Sequence, residues 1–397
     1  MHCVIVDNGR RQMLEDPVFR DALTCIRCGA CSNACGPFMA VTGHQFGHIY
    51  NGPIGLVLTP FHHGQKANDL PQSLCTQCNA CQEVCPVGIE LPRMILEHRR
   101  HSAKSLRKQA VLQLWAHPGI ARKVFRIAAH VPGAPLAERA FGQRLAEPSA
   151  AGEEITIFAS CATDQMAPAA GRALVHILES AGYRVNFPRQ QWCCGLVQAN
   201  AGSFERGLAS AAGLAGVLAN SPGLIVTPST SCYGAFVIDA PTWGAVGTAH
   251  AAVAARMRHA TGFLGELIER RPDLIDQGAP AVRVAYHDSC QSLRQLGLRD
   301  EARGVLKACG YEVVDLPDIA TCCGFGGSFS LDWPEVADRL AEWKVKALAE
   351  TGCQVLASDN PGCLIHLRGA ARKRGLDLRV AHITELVAER LRFQSVE

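Results

Sequence analysis

Cys25-Ile-Arg-Cys28-Gly-Ala-Cys31-Ser-Asn-Ala-Cys35-Gly-Pro37 places four cysteines two, two and three residues apart, and Cys75-Thr-Gln-Cys78-Asn-Ala-Cys81-Gln-Glu-Val-Cys85-Pro86 repeats the spacing. A thiolate cage for a [4Fe–4S] cube takes three sulfurs from one tight loop, and the fourth cysteine of such a run ligates the other cluster of a two-cluster ferredoxin. The expected sets are therefore Cys25, Cys28, Cys31 and Cys85 on one cluster, and Cys75, Cys78, Cys81 and Cys35 on the other. Structural zinc usually takes its ligands as two separated pairs, which leaves the fourth cysteine of each run unexplained. Gly36 stands where the second run has Pro86, a change that removes a φ restraint and no ligand.

The rest of the composition bounds the problem. The chain has 397 residues, 48% of them hydrophobic, enough for two or three domains with proper cores. A net charge of +3, with basic and acidic residues interspersed, gives no footprint for nucleic acid. Nineteen cysteines grouped at cluster spacing, in a large chain with no apolar signal segment after Met1, point to a reducing cytoplasm and away from a disulfide scaffold. No window offers about 18 consecutive apolar residues, so the sequence predicts no membrane-spanning helix.

Val4-Ile5-Val6 reads as a short strand before the Asp7-Asn8-Gly9 turn. Between the two cysteine loops, His44, His48, His62 and His63 lie among glycines and prolines. With both cysteine sets complete, they read as donors behind the ligands or as surface groups. From His101 to Ala150, Lys104, Arg107, Lys108, Arg122, Lys123 and Arg126 are interleaved with apolar residues including Trp115, Val124, Phe125 and Ile127. That basic amphipathic pattern fits either helices packed between domains or a peripheral contact with an anionic membrane. Glu147 to Glu154 reads as a linker.

From Ile155 the chain repeats itself. An apolar strand runs to Cys161, a helical pattern follows, a strand from Tyr183 to Phe187 leads to Cys193-Cys194-Gly195, and a strand from Leu224 to Thr227 leads to Cys232. The second copy has Val282 to Tyr286 before Cys290, Tyr311 to Leu316 before Cys322-Cys323-Gly324, and Gln354 to Ala357 before Cys363. The first cysteine precedes the pair by 32 positions in both copies. Alternating strands and helices imply parallel α/β layers, which gather ligands at the carboxyl ends of their strands. Cys161, Cys193, Cys194 and Cys232 thus form one expected metal site, and Cys290, Cys322, Cys323 and Cys363 the other. Buried cysteine as mere core is common singly, but four recurring in register favour metal. Cys309 and Cys353 lack counterparts and read as core. A thiol–disulfide site at the vicinal pairs is the competing chemistry.

These residues carry a family resemblance over nearly the whole chain. The part with two Cys-Cys-Gly repeats resembles the cysteine-rich iron–sulfur subunits of lactate-utilisation operons, closely so at Cys322-Cys-Gly-Phe-Gly-Gly-Ser-Phe-Ser330 and Ala381-His-Ile-Thr-Glu-Leu386. The N-terminal part resembles the cluster-binding end of a second subunit of that system, through Asp7-Asn-Gly-Arg10, the first cysteine loop and Gly52-Pro-Ile-Gly55. The chain thus reads as a fusion of two partners, without the large domain that precedes those loops in the second subunit. In layout it is also similar to the glycolate oxidase iron–sulfur subunit and to the small iron–sulfur subunit of anaerobic glycerol-3-phosphate dehydrogenase. The Cys-Cys-Gly repeat recurs in heterodisulfide reductases, where it closes with Cys-x2-Cys. Here the first of those closing positions is Ser229 in one copy and Asn360 in the other.

No Gly-x-Gly-x-x-Gly opens a helix after a strand, so the sequence offers no flavin or nicotinamide site of its own, and hydride chemistry belongs to a partner. The sequence and the resemblance together give these expectations. The fold is α+β multidomain, with a helical ferredoxin-like two-cluster domain (1–100), a basic helical connector (101–154) and two α/β Cys-Cys-Gly domains (155–275 and 276–397). The cofactors are two [4Fe–4S] clusters, with further iron–sulfur clusters at the Cys-Cys-Gly repeats, and the chain has no catalytic residue of its own. The function is electron transfer from a flavoprotein 2-hydroxy-acid dehydrogenase subunit, for lactate or glycolate, towards quinone or another membrane acceptor. The place is the cytoplasm, with a peripheral contact on the inner face of the membrane. The alternative is a heterodisulfide-reductase-like catalytic subunit.

Overall fold

The computed structural model describes residues 1–46, 50–130, 136–137, 140–143, 152–317 and 322–392. His48 and residues 147–151 of the expected linker lie outside them. The chain divides into two compact units: Met1–Lys108 with Asn200–Ser203 and Ala320–Glu342, and the remainder.

Among the described residues, the first unit is helical throughout. Val4, Ile5 and Val6 do not form the expected strand; they are 84, 90 and 69% exposed and make no ladder, and an extended run without a partner strand leaves its backbone groups to water. The centre of the unit is the helix Gly52–His63, buried continuously from Gly52 to Thr59. Pro60 inside it has no N–H to offer the carbonyl of Leu56. The Asn68 side-chain amide fills that gap, donating to Leu56 O at 2.8 Å. Helix Leu91–His101 packs alongside, with His98 Nε2 donating to Val57 O at 3.0 Å and Phe19 stacked on the imidazole. The two distant segments are tied in by specific bonds. Arg99 Nη1 donates to Asn200 O, Trp333 Nε1 to Ser73 Oγ and Arg339 Nη1 to Ala40 O, at 2.6, 2.9 and 3.1 Å.

The second unit holds two four-stranded parallel sheets. The first contains β1 (Glu154–Ile157), β2 (Arg184–Asn186), β3 (Ile225–Thr227) and β4 (Met257–His259), in the order β2-β1-β3-β4. The second contains β5 (Val282–Tyr286), β6 (Tyr311–Asp315), β7 (Val355–Ser358) and β8 (Arg379–His382), in the equivalent order β6-β5-β7-β8. The register matches as well: Thr156 faces Ile225 across β1 and β3, and Ala285 faces Leu356 across β5 and β7. Parallel neighbours require crossover connections, which the intervening helices supply.

The two sheets share one apolar core. Ile155, Ile157, Leu174 and Leu264 of the first copy are buried in the same cluster as Val284, Tyr286, Leu306 and Leu386 of the second. Packing between the copies is reciprocal. Helix Pro168–Ser180 lies on Ile383–Ala388, and helix Ala260–Arg270 lies on Glu301–Ala308. The first crossover helix of each copy therefore meets the last helix of the other, the self-complementary pattern of a two-fold interface, built here within one chain.

Candidate metal centres

The two N-terminal cysteine loops adopt the same unusual backbone. Arg27 and Gln77, each just before the second cysteine, sit at φ 61 and 57°, and Gly29 and Asn79, just after it, at φ 76 and 60°. A short helix follows in each case, Ala30–Asn33 and Ala80–Glu83. Left-handed residues are costly except for glycine and asparagine, and two in one turn curl the backbone so that successive sulfurs point inward.

The structure gathers the cysteines in the crossed sets. Cys25, Cys28, Cys31 and Cys85 line one cavity, with Ile26, Ile54 and Leu91 around them. Cys35, Cys75, Cys78 and Cys81 line another, with Phe46, Leu56 and Ile95. Burial pushes the Cys35 thiol well above its ordinary value, and the neighbouring Cys78 and Cys75 push it further. Cys81 is raised well above by burial and then by Cys75 and Cys78. Crowded thiols that hinder the ionisation of Cys35, Cys75 and Cys81 fit a cation that supplies the missing positive charge.

Several partners that sequence spacing does not signal attend the sulfurs. Gln77 donates to Cys75 Sγ from its backbone N–H at 3.4 Å and from its amide at 3.3 Å, and Ile89 N–H donates to Cys85 Sγ at 3.4 Å. Arg99, only 5% exposed, spreads its guanidinium over Gln72 Oε1, Gln72 O and Cys75 O at 2.8, 2.6 and 2.8 Å. Its charge pulls the Cys75 thiol down against the larger effect of burial. Of the histidines, His62 Nδ1 donates to Asn8 O at 2.8 Å, and His44 and His63 are exposed.

In the second unit, the first repeat brings its cysteines to the carboxyl ends of β1, β2 and β3. Cys161 opens the helix Cys161–Gln165, Cys193 and Cys194 follow β2, and Cys232 lies in the helix Thr230–Gly234. All four are buried, at 8, 2, 2 and 7% exposure. Hydrogen bonding among them splits their ionisation. Cys161 is raised chiefly by its bond to Cys193, and Cys194 by its bonds to Cys193 and Cys232. Cys193 is lowered well below its ordinary value, first by Cys161 and Cys194, and Cys232 is lowered by Cys194. This too is a donor set that fits a thiophilic metal.

The connector helices cover this site. Trp115, Ala121 and Phe125 pack with Trp192 against Cys161 and Cys193, and Trp192 Nε1 donates to Trp115 O at 3.0 Å. Ile120, Val124 and Ile127 of the helix Pro118–Ala128 remain 57, 40 and 73% exposed. No described helix is long and apolar enough to cross a membrane.

In the second repeat, Cys290 follows β5, and Cys363 lies in the helix Pro361–Lys373 after β7. Cys322 and Cys323 belong to the segment Ala320–Glu342 that joins the first unit. The glycines after the pairs behave alike: Gly195 and Gly324 adopt φ 96 and 90°, and each donates its N–H to the first sulfur of its pair at 3.4 Å. Ser229 and Asn360, the positions that depart from Cys-x2-Cys, serve as helix N-caps. Ser229 Oγ accepts from Cys232 N–H at 3.4 Å, and Asn360 Oδ1 from Gly362 N–H at 3.0 Å.

Burial dominates two further groups in this unit. It lowers His287 to about 3, with Lys344 adding to the effect, and raises Cys309 to about 12. Cys309 is 1% exposed within the shared core, as expected of a packing residue.

Comparison with known proteins places these features. Residues 21–89 match the family described as a 4Fe-4S dicluster domain, and residues 155–237 and 284–368 each match the cysteine-rich domain. An uncharacterized protein of Escherichia coli K12, YkgE, is 32% identical over 244 residues, 59% of this chain and 99% of the relative. Lactate utilization protein A 1 of Bacillus mycoides is 32% identical over 59% of this chain and 97% of its own length. Lactate utilization protein A of an Exiguobacterium species is 33% identical over the same shares. Among solved structures, a glutamate racemase of Bacillus anthracis overlaps 60% of this chain and 79% of its own at 8% identity, with a TM-score of 0.27, too slight a likeness to carry an argument.

Proposed function

The chain belongs to the lactate utilization protein A family, and on that footing we propose that it is the electron-transfer subunit of a 2-hydroxy-acid dehydrogenase complex. Lactate is the favoured substrate and glycolate the next, oxidised on a partner flavoprotein, with electrons passed towards quinone. The observation that carries this reading is the pair of cavities lined by crossed cysteine sets in the 4Fe-4S dicluster segment. A [4Fe–4S] cluster held by four thiolates exchanges single electrons. The chain's own work is to hold the thiolates, to aim N–H groups of Gln77 and Ile89 at sulfur, and to keep water from the second set with Phe46, Leu56 and Ile95.

The same reading assigns two [4Fe–4S] clusters to residues 1–100, a connector to 101–154, and one further iron–sulfur centre to each of 155–275 and 276–397. The complex sits on the cytoplasmic face of the membrane, and the exposed Ile120, Val124 and Ile127 flanking Lys123 and Arg126 support a peripheral contact. The competing reading, disulfide reduction at the Cys-Cys-Gly centres, is disfavoured because Ser229 and Asn360 act as caps where extra ligands would stand.

The test is anaerobic copurification with the flavoprotein followed by addition of L- or D-lactate. Bleaching of the iron–sulfur absorbance by lactate, dependent on the flavoprotein, is expected. Reduced viologen with a heterodisulfide should give no turnover. Rapid disulfide reduction that is lost in Cys193→Ser would overturn the proposal in favour of the competing chemistry.

A further inference from the structure

The two Cys-Cys-Gly repeats match position by position, so a chemical difference at a matched position is informative. Phe158 and His287 each stand three residues before the first cysteine of their repeat. Each donates its backbone N–H to the neighbouring strand at the same register, Phe158 to Val226 O at 2.9 Å and His287 to Ala357 O at 2.8 Å. Both side chains are buried, at 0 and 1% exposure. A phenyl ring is at home there. An imidazole has one N–H to give and one lone pair to fill, and neither Nδ1 nor Nε2 of His287 has a hydrogen-bond partner among the described residues.

Leaving both groups unmade costs free energy that the sister repeat's phenylalanine avoids, and a ligand on one ring nitrogen offsets part of that cost. A ring nitrogen of His287 lies within 4.8 Å of Cys363 Sγ. Two donors of one metal ion, with bonds of about 2.0–2.3 Å, stand roughly 3.5–4 Å apart, inside that limit.

We propose that His287 is a nitrogen ligand of the second repeat's metal centre, so that the two repeats hold unlike centres: thiolate alone in the first, thiolate with imidazole in the second. This rests on the reading of the repeats as metal sites. Replacing a charged thiolate by neutral imidazole raises the reduction potential of an iron–sulfur centre, as it does where histidine replaces cysteine in Rieske clusters. The second centre would then be the more easily reduced of the pair.

The experiment uses the full chain purified anaerobically, with metal and sulfide counted per chain, in wild type, His287→Phe, His287→Gln, Cys290→Ser and Cys363→Ser. Phenylalanine is the residue the sister repeat accepts at this place, so His287→Phe should fold. Pulsed electron paramagnetic resonance, or X-ray absorption if the metal is zinc, is recorded with and without ¹⁵N-histidine. A directly bonded histidine nitrogen in wild type, abolished in both His287 variants together with loss or a changed spectrum of one centre, is the expected result. A loaded second centre with no directly bonded nitrogen, or an unchanged centre in His287→Phe, overturns the inference and leaves the metal-site reading standing. If Cys363→Ser and Cys290→Ser remove no metal, the metal-site reading itself falls.

Discussion

Gly195→Ala tests why a glycine must follow the first cysteine pair. Gly195 sits at φ 96°, and a Cβ there would come within 3.0 Å of the carbonyl oxygen and carbon of Gly207, in the helix Phe204–Leu218, besides meeting the Trp243 ring at 3.0 Å. A side chain held in this region costs about 1–3 kcal/mol in backbone strain, and forcing a methyl into a packed contact costs about another 1–3. The total is on the order of 2–6 kcal/mol, enough to lower the melting temperature of a unit this size by about 10 °C. Relief requires moving the Cys-Cys-Gly loop away from the helix, which withdraws the Gly195 N–H from Cys193 Sγ, now at 3.4 Å. Metal per chain and the thermal transition of anaerobic protein are the measurements. Gly213→Ala is the control: it lies in the same helix with nothing within 4 Å of its would-be Cβ, and alanine there should be neutral or stabilising by up to ~1 kcal/mol. Full metal content and a melting temperature within about 2 °C of wild type for Gly195→Ala would refute the reasoning.

Arg99→Met removes the guanidinium donor from three backbone carbonyls and the Gln72 amide oxygen, so it should destabilise the first unit by on the order of 3–5 kcal/mol, measured as faster thermal bleaching of the N-terminal clusters; Arg99→Lys should recover part of that but not the planar fork. Asp359, 1% exposed and raised to about 6 by burial, binds its proton more tightly folded than unfolded, so its contribution to stability grows as pH falls from 7 through 6. The gain should be about 1 kcal/mol by pH 5.5, absent from Asp359→Asn in paired denaturation curves. For the peripheral contact, replacing Lys123 and Arg126 together by Ala should weaken binding to phosphatidylserine vesicles about 30-fold at low salt, at roughly 1 kcal/mol per basic residue. Vesicle sedimentation in which the variant binds as well as wild type would remove that helix from the membrane.

What the sequence made legible was chemistry confined to a few consecutive residues or to a run of apolar ones. The two cysteine loops announce themselves by spacing alone, and β1, β3, β5 and β7 by apolar runs ending near a cysteine. The fourth strands did not announce themselves. Met257-Arg-His259 and Arg379-Val-Ala-His382 are short and carry charge, and they are strands because β3 and β7 offer them an edge. The opposite error, a strand at Val4–Val6, has the same origin: the residues favour an extended chain, but no neighbour supplies the ladder.

The same distinction accounts for the connector. Its amphipathic pattern leaves open whether the apolar face meets protein or lipid, because periodicity records that a face is apolar and not what covers it. In the structure the residues divide. Ala121 and Phe125 close over Cys161 and Cys193, while Ile120, Val124 and Ile127 stay in solvent. The cover depends on Trp192, which lies next to the cysteine pair in sequence but is bonded to Trp115 far upstream. A site whose ligands are written locally is thus finished by residues whose role is set only when the chain has folded back on itself. His287 belongs to the same class: after the strand run Val282 to Tyr286 it is merely the next, polar residue, and its unmatched nitrogens become visible only when β5 is laid beside β7 and compared with Phe158 beside β3.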